Sequence, residues 1–91
     1  MKSNQTVKGI LARMIELLKI GNEISWATSL EEMINEIDQG GNSVNNKIIM
    51  SFGGMGSLND VVLQKSGIVL KIENDEFDEL RAALFDACHS A

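Results

Sequence analysis

Three glycines within four residues, Gly53, Gly54 and Gly56, stand at the centre of the stretch from Ile48 to Leu63. Short β-rich runs, Ile48-Ile49-Met50 and Val61-Val62-Leu63, stand on either side. The chain must turn sharply between them, because only glycine enters left-handed backbone conformations without steric cost. Short β-branched runs bounded by glycine read as strands. The expectation is a β-hairpin at the centre of the chain. Helical periodicity lies before and after it, so helices are expected to cover one face of the sheet.

The N-terminal flank carries Val7, Ile10, Leu11, Met14, Leu17 and Leu18 at intervals of three and four. That spacing predicts an amphipathic helix over roughly residues 5–20, with Gly21-Asn22 as a left-handed stop. Leu30, Met33, Ile34 and Ile37 form the stripe of a second helix, which Gly40-Gly41 ends. Its start has two readings. Thr28 with Glu31, or Ser29 with Glu32, matches a capping box. Trp26 stands four residues before Leu30, which places the start near Glu23 instead. Two helices joined by a short loop pack antiparallel, and Trp26 then reads as an apolar plug between them.

Gly40 to Asn46 is a loop by composition, and Lys47 to Phe52 reads as a strand. Leu58 to Gln64 admits a strand, from Val61, Val62 and Leu63, or a helix that Ser57 and Asp60 would cap. The strand is preferred for so short a β-branched run. Lys65-Ser66-Gly67 is a turn, and Ile68 to Ile72 offers a third strand. Asn74 or Asp75 should cap a last helix, whose stripe is Phe77, Leu80, Leu84 and Cys88, widened by Ala83, Phe85 and Ala87. The fold class is α+β: two N-terminal helices, a small antiparallel sheet of two or three strands, and a C-terminal helix. At 91 residues the chain is expected to form a single α+β domain over 1–91.

A chain of this size buries roughly 60–65 % of its unfolded surface, so the core is thin. Proline and tyrosine are absent, and the aromatics are Trp26, Phe52, Phe77 and Phe85, so aliphatic side chains must fill it. Cys88 is the lone cysteine, which excludes an internal disulfide and fits a reducing compartment. Lys8, Arg13, Glu16 and Lys19 interrupt the first apolar stretch, so it is no signal-peptide core. No run approaches the ~20 apolar residues of a membrane helix. The expected location is cytoplasmic, with no membrane partner.

The net charge of −5 is unevenly spread: +3 over residues 1–20, −5 over 21–38, +2 over 39–72 and −5 over 73–91. Two acidic segments disfavour nucleic acid, whose phosphates need clustered Lys and Arg. A basic protein suits them better. The candidate contacts are Glu31, Glu32, Glu36 and Asp38 on the second helix, and Glu76 and Glu79 on the last.

Little here points to turnover. His89 lies in a terminus, where a catalytic base has no held geometry. Cys88 belongs to an apolar stripe and reads as a buried thiol. No Cys/His set or EF-hand spacing suggests a metal, and no cofactor is implied. The glycine cluster is the one candidate ligand site. Gly54-Met55-Gly56 begins a G-x-G, but Asn59 stands where the third glycine of a dinucleotide fingerprint belongs, and no Gly-Lys-Ser/Thr follows. Backbone amides of Gly53, Gly54, Gly56 and Ser57, with Asp60 beside them, could still form a small anion nest. The plainer reading is a tight turn whose amides Asp60 caps.

The run Ser51-Phe52-Gly53-Gly54-Met55-Gly56-Ser57-Leu58-Asn59-Asp60 resembles the signature of a group of small, uncharacterised bacterial proteins. They are similar in length, with helices before a GGMGS-x-ND segment and an acidic helix after it. The stretch Asn74 to Ala83, with Phe77-Asp78-Glu79-Leu80-Arg81, resembles theirs as well. Proteins of this size and style include immunity partners of polymorphic bacterial toxins. By that analogy the expected function is a small protein-binding module, an immunity-type inhibitor of a basic toxin domain. A phosphate or small-ligand site at the glycine turn 53–57 is the alternative. A sheet of two or three short strands is marginal alone, so a homo-oligomer is a further expectation.

Overall fold

The computed structural model describes residues 4–39 and 61–89. Their elements are helix α1 (Asn4–Ile20), helix α2 (Ile24–Asp38), strands β1 (Gln64–Lys65) and β2 (Ile68–Val69), and helix α3 (Lys71–His89). This is the α+β architecture expected, with helices at both ends and a two-stranded antiparallel sheet between them. The expected strand at Lys47 to Phe52 and the glycine turn at 53–57 lie outside the described residues.

Helix α1 is the hub. It buries Val7, Leu11, Met14, Ile15, Leu17 and Leu18, a face wider than one neighbouring helix can cover. It therefore packs against both α2 and α3. Helix α2 contributes Ala27, Leu30 and Ile37, and α3 contributes Phe77, Leu84 and Ala87. Trp26, Met33, Ile34 and Leu80 are half-buried around this cluster, so Trp26 packs on the core as the sequence suggests.

The α1–α2 corner is a Schellman motif. The Glu23 N–H donates to the Leu18 carbonyl at 2.8 Å, and the Asn22 N–H to the Lys19 carbonyl at 3.1 Å. Asn22, with φ of 60°, takes the left-handed position that such an ending requires. The sequence reading gave that task jointly to Gly21 and Asn22, but Gly21 serves another purpose. A Cβ there would stand 2.7 Å from Leu63 Cδ2 and 3.2 Å from Leu63 Cα. Gly21 is glycine so that Leu63 can press onto the corner. Helix α2 begins directly afterwards, at Ile24. Thr28 and Ser29 are thus inside the helix, and of the two starts weighed the one near Glu23 is correct.

The hairpin is shorter and more exposed than expected. Gln64 stands opposite Val69 and Lys65 opposite Ile68. Ser66 and Gly67, with φ of 54° and 79°, make a two-residue turn of the type I′ form, whose twist suits a hairpin. Val61 to Leu63 have no regular structure, so the strand reading of Leu58 to Gln64 holds only at its end; residues 58–60 lie outside the description. All four strand residues face solvent. The helices therefore do not cover these strand residues, while the hairpin expected about the glycines 53–56 lies outside the described residues. Only the base of the hairpin reaches the core: Leu63 is fully buried and Leu70 half-buried. The expected third strand also fails beyond Val69, because Lys71 already opens α3.

Candidate functional site

Asn74 joins hairpin to helix, and it is not the cap the sequence suggested. It sits in the first turn of α3, and its N–H donates to the Leu70 carbonyl at 2.8 Å. Its side-chain Nδ2 donates to the carbonyls of Leu63, at 3.0 Å, and Leu70, at 2.8 Å. Its Oδ1 accepts from the Leu63 N–H at 2.8 Å. The Leu70 N–H donates to the Leu63 carbonyl at 3.0 Å. In a continued ladder Leu63 would exchange both bonds with Leu70. The helix has claimed the Leu70 carbonyl, so the Asn74 amide takes its place. An amide offers a donor and an acceptor together, which Asp75 cannot.

The six carboxylates proposed as partner contacts divide into two sets. Glu31 pairs with Lys19 at 3.1 Å, Asp38 pairs with Lys8, and Glu76 pairs with Arg13. The Arg13–Glu76 pair is bidentate, 2.6 Å from Nε to Oε2 and 2.9 Å from Nη2 to Oε1, and Arg13 also holds Glu16 at 2.8 Å. These contacts tie the basic side chains of α1 to its two neighbouring helices. The Arg13 hydrogen bond holds the Glu76 carboxyl below its usual range, and the two carboxylates raise the Arg13 guanidinium further above its own. Two of the five acidic side chains of residues 21–38, Glu31 and Asp38, are thus engaged by lysines of residues 1–20. Glu32 and Glu79 face solvent, and Glu36 is half-buried.

At the hairpin end, large aliphatic side chains stand in water. Ile72 is 79 % exposed, Ile68 69 %, Val69 56 % and Val62 49 %. Ile20 and Ile24 at the α1–α2 corner are exposed as well. Two shallow grooves run through this region. One, of about 690 Å³, lies between the corner and β1 and is lined by Lys19 to Glu23, Val62 and Gln64 to Ser66. The other, of about 590 Å³, has Val61, Val62 and Val69 on one side and Lys71, Asn74, Asp75, Asp78 and Arg81 of α3 on the other. Lys71 pairs there with Asp75 at 2.9 Å, and Arg81 with Asp78, while Arg81 also lies 5.3 Å over the Phe77 ring. Sequence reasoning missed this surface. The signal was Ile68-Val69-Leu70 with Ile72, whose core side stayed unassigned because nearly every position is apolar.

Among the described residues no group of His, Cys, Asp and Glu is placed to hold a metal ion. None of the described helices is long and apolar enough to cross a membrane. The candidate ligand residues Gly53, Gly54, Gly56, Ser57 and Asp60 lie outside the described residues, and so do the side chains of Cys88 and His89.

A family model for a domain of unknown function, DUF6966, matches residues 19–71, more than half of the chain. The chain belongs to the DUF6966 family. Its matched segment runs from the last turn of α1 through the corner, α2 and the hairpin to the first residue of α3. Gly21 and Leu63 both fall inside it, as do all the residues lining the groove beside β1. Neither the curated proteins nor the solved structures hold a match to this chain.

Proposed function

We propose that this DUF6966 chain is a small protein-recognition module, an immunity-type inhibitor that neutralises a basic toxin domain. The observation that carries the reading is the cluster of exposed aliphatic side chains around the hairpin, Val62, Ile68, Val69 and Ile72. Large aliphatic side chains left in water on so small a body mark a contact site, because their exposure is costly. Apolar anchors set how long a complex lasts, and surface charge sets how fast it forms. The net charge of −5 favours encounter with a cationic partner. Glu31, Asp38 and Glu76 are occupied within the fold, so Glu32 and Glu79 are the steering carboxylates of the original six.

Growth rescue tests this reading. Expression of the protein encoded by the neighbouring reading frame should arrest a host, and coexpression of this chain should restore growth. With both proteins purified, the association rate should fall as salt rises, and Glu32→Lys with Glu79→Lys should lower it further. Val69→Asp should instead shorten the lifetime of the complex. A harmless neighbour, or a complex whose association rate ignores salt, defeats the proposal.

A further inference from the structure

We infer that the outer edge of β1 and the groove beside it form the contact between two copies of this chain. Register supports this first. Lys65 opposite Ile68 closes the turn, and Leu63 directs its N–H and carbonyl toward Asn74 and Leu70. Backbone groups alternate in direction along a strand, so those of Gln64 point away from β2. Among the described residues β1 has no strand neighbour besides β2. An open strand edge is a template for another strand.

Composition of the groove chooses the occupant. Its aliphatics are Ile20 and Val62, both exposed, with Ile24 nearby. Its charges include Lys65 on the strand wall and Glu23 on the corner wall, and neither has an ion-pair partner among the described residues. A two-fold interface must be its own complement, since each patch meets a copy of itself. A surface with apolar side chains and, among the described residues, an unpaired strand edge and one unpaired charge of each sign meets that condition. A strongly basic partner would place its cations against Lys65. In the antiparallel pair of β1 strands, Lys65 of each copy faces Glu23 of the other, and the sheet grows to four strands. This contact shares Val62 with the toxin-binding reading but does not depend on it, and it survives the failure of that reading.

Sedimentation equilibrium on the full chain tests the inference. The parent should show a concentration-dependent dimer. Gln64→Pro removes an N–H that the hairpin does not use, so it should abolish the dimer while circular dichroism stays unchanged. Lys65→Glu and Glu23→Lys should each weaken dimerisation about tenfold or more, because each sets like charges together twice. Glu23 makes no side-chain cap bond at the start of α2, so its exchange spares the helix entry. Mixing these two variants should restore association, since every contact then joins an ammonium to a carboxylate. A parent that stays monomeric up to millimolar concentration overturns the inference. So does a dimer that tolerates Gln64→Pro, or two single variants that fail to associate when mixed.

Discussion

Asn74 stands where a strand residue would otherwise be. Its side chain makes three hydrogen bonds to the backbone of Leu63 and Leu70, in a half-buried site. Asn74→Ala leaves the Leu63 N–H without its acceptor, which should cost about 1–3 kcal/mol. A lower urea midpoint with an unchanged slope checks this, and faster exchange of the Leu63 amide would locate the loss. Asn74→Asp should be nearly as damaging, because a carboxylate cannot donate to the two carbonyls. Gly21 is the other residue that one methyl group would upset. The added Cβ would meet the backbone as well as the side chain of Leu63, so Gly21→Ala should destabilise by about 1–3 kcal/mol. Leu63→Ala alone opens a core cavity and should cost about 2–5 kcal/mol. The double variant should lose less than the sum, and the deficit measures the contact. Strict additivity would mean that the corner and Leu63 do not press on one another.

At the scale of elements, the described helices were legible, and so were the turn at 65–67 and the strand that starts at Ile68, though not how short the strands are. The stripe Val7, Leu11, Met14 and Leu18 gives α1 directly, and each member is fully buried. Periodicity works there because an amphipathic helix repeats its pattern over four turns. A two-residue strand has no period to read, and the Ser66-Gly67 turn could be seen only by its residues. The Thr28/Glu31 spacing, which falls inside α2, shows how freely capping boxes occur by chance. The same limit hid Asn74, since nothing local says that its amide will serve a segment eleven residues back. The candidate site divides likewise. Acidic positions are obvious in sequence, yet only the folded chain shows that Lys19, Lys8 and Arg13 engage Glu31, Asp38 and Glu76. For the hairpin itself, a type I′ turn favours asparagine at its first position, and Ser66 occupies it in left-handed geometry. Ser66→Asn should therefore stabilise the protein, by up to about 1 kcal/mol, read as a higher midpoint of thermal unfolding. A neutral or harmful effect would mean that the turn limits neither the hairpin nor the fold.

At the scale of the whole molecule, one contact couples helices that are far apart in sequence. Arg13 of α1 grips Glu76 of α3 with two hydrogen bonds, so it spans the hub and the C-terminal helix. Because Arg13 lowers the Glu76 pKa from its ordinary value of 4.5, the folded chain binds a proton there more weakly than the unfolded chain does. Protonation therefore favours unfolding. The stabilisation from this pair is complete above the unfolded value and fades as pH falls through the lower, folded one. Glu76→Gln should then be less stable than the parent at pH 7, with the gap closing below about pH 4. Urea midpoints for both proteins across that range give the comparison directly. The pair is partly exposed, with 44 % of the Arg13 side chain and 37 % of the Glu76 side chain open to solvent, so salt should screen it. Molar salt at pH 7 should narrow the same gap without removing it, since two well-aligned hydrogen bonds remain after the longer-range field is damped. A gap between Glu76→Gln and the parent that stays constant from pH 7 to pH 3 would show that α1 and α3 are held by the burial of Phe77, Leu84 and Ala87 alone.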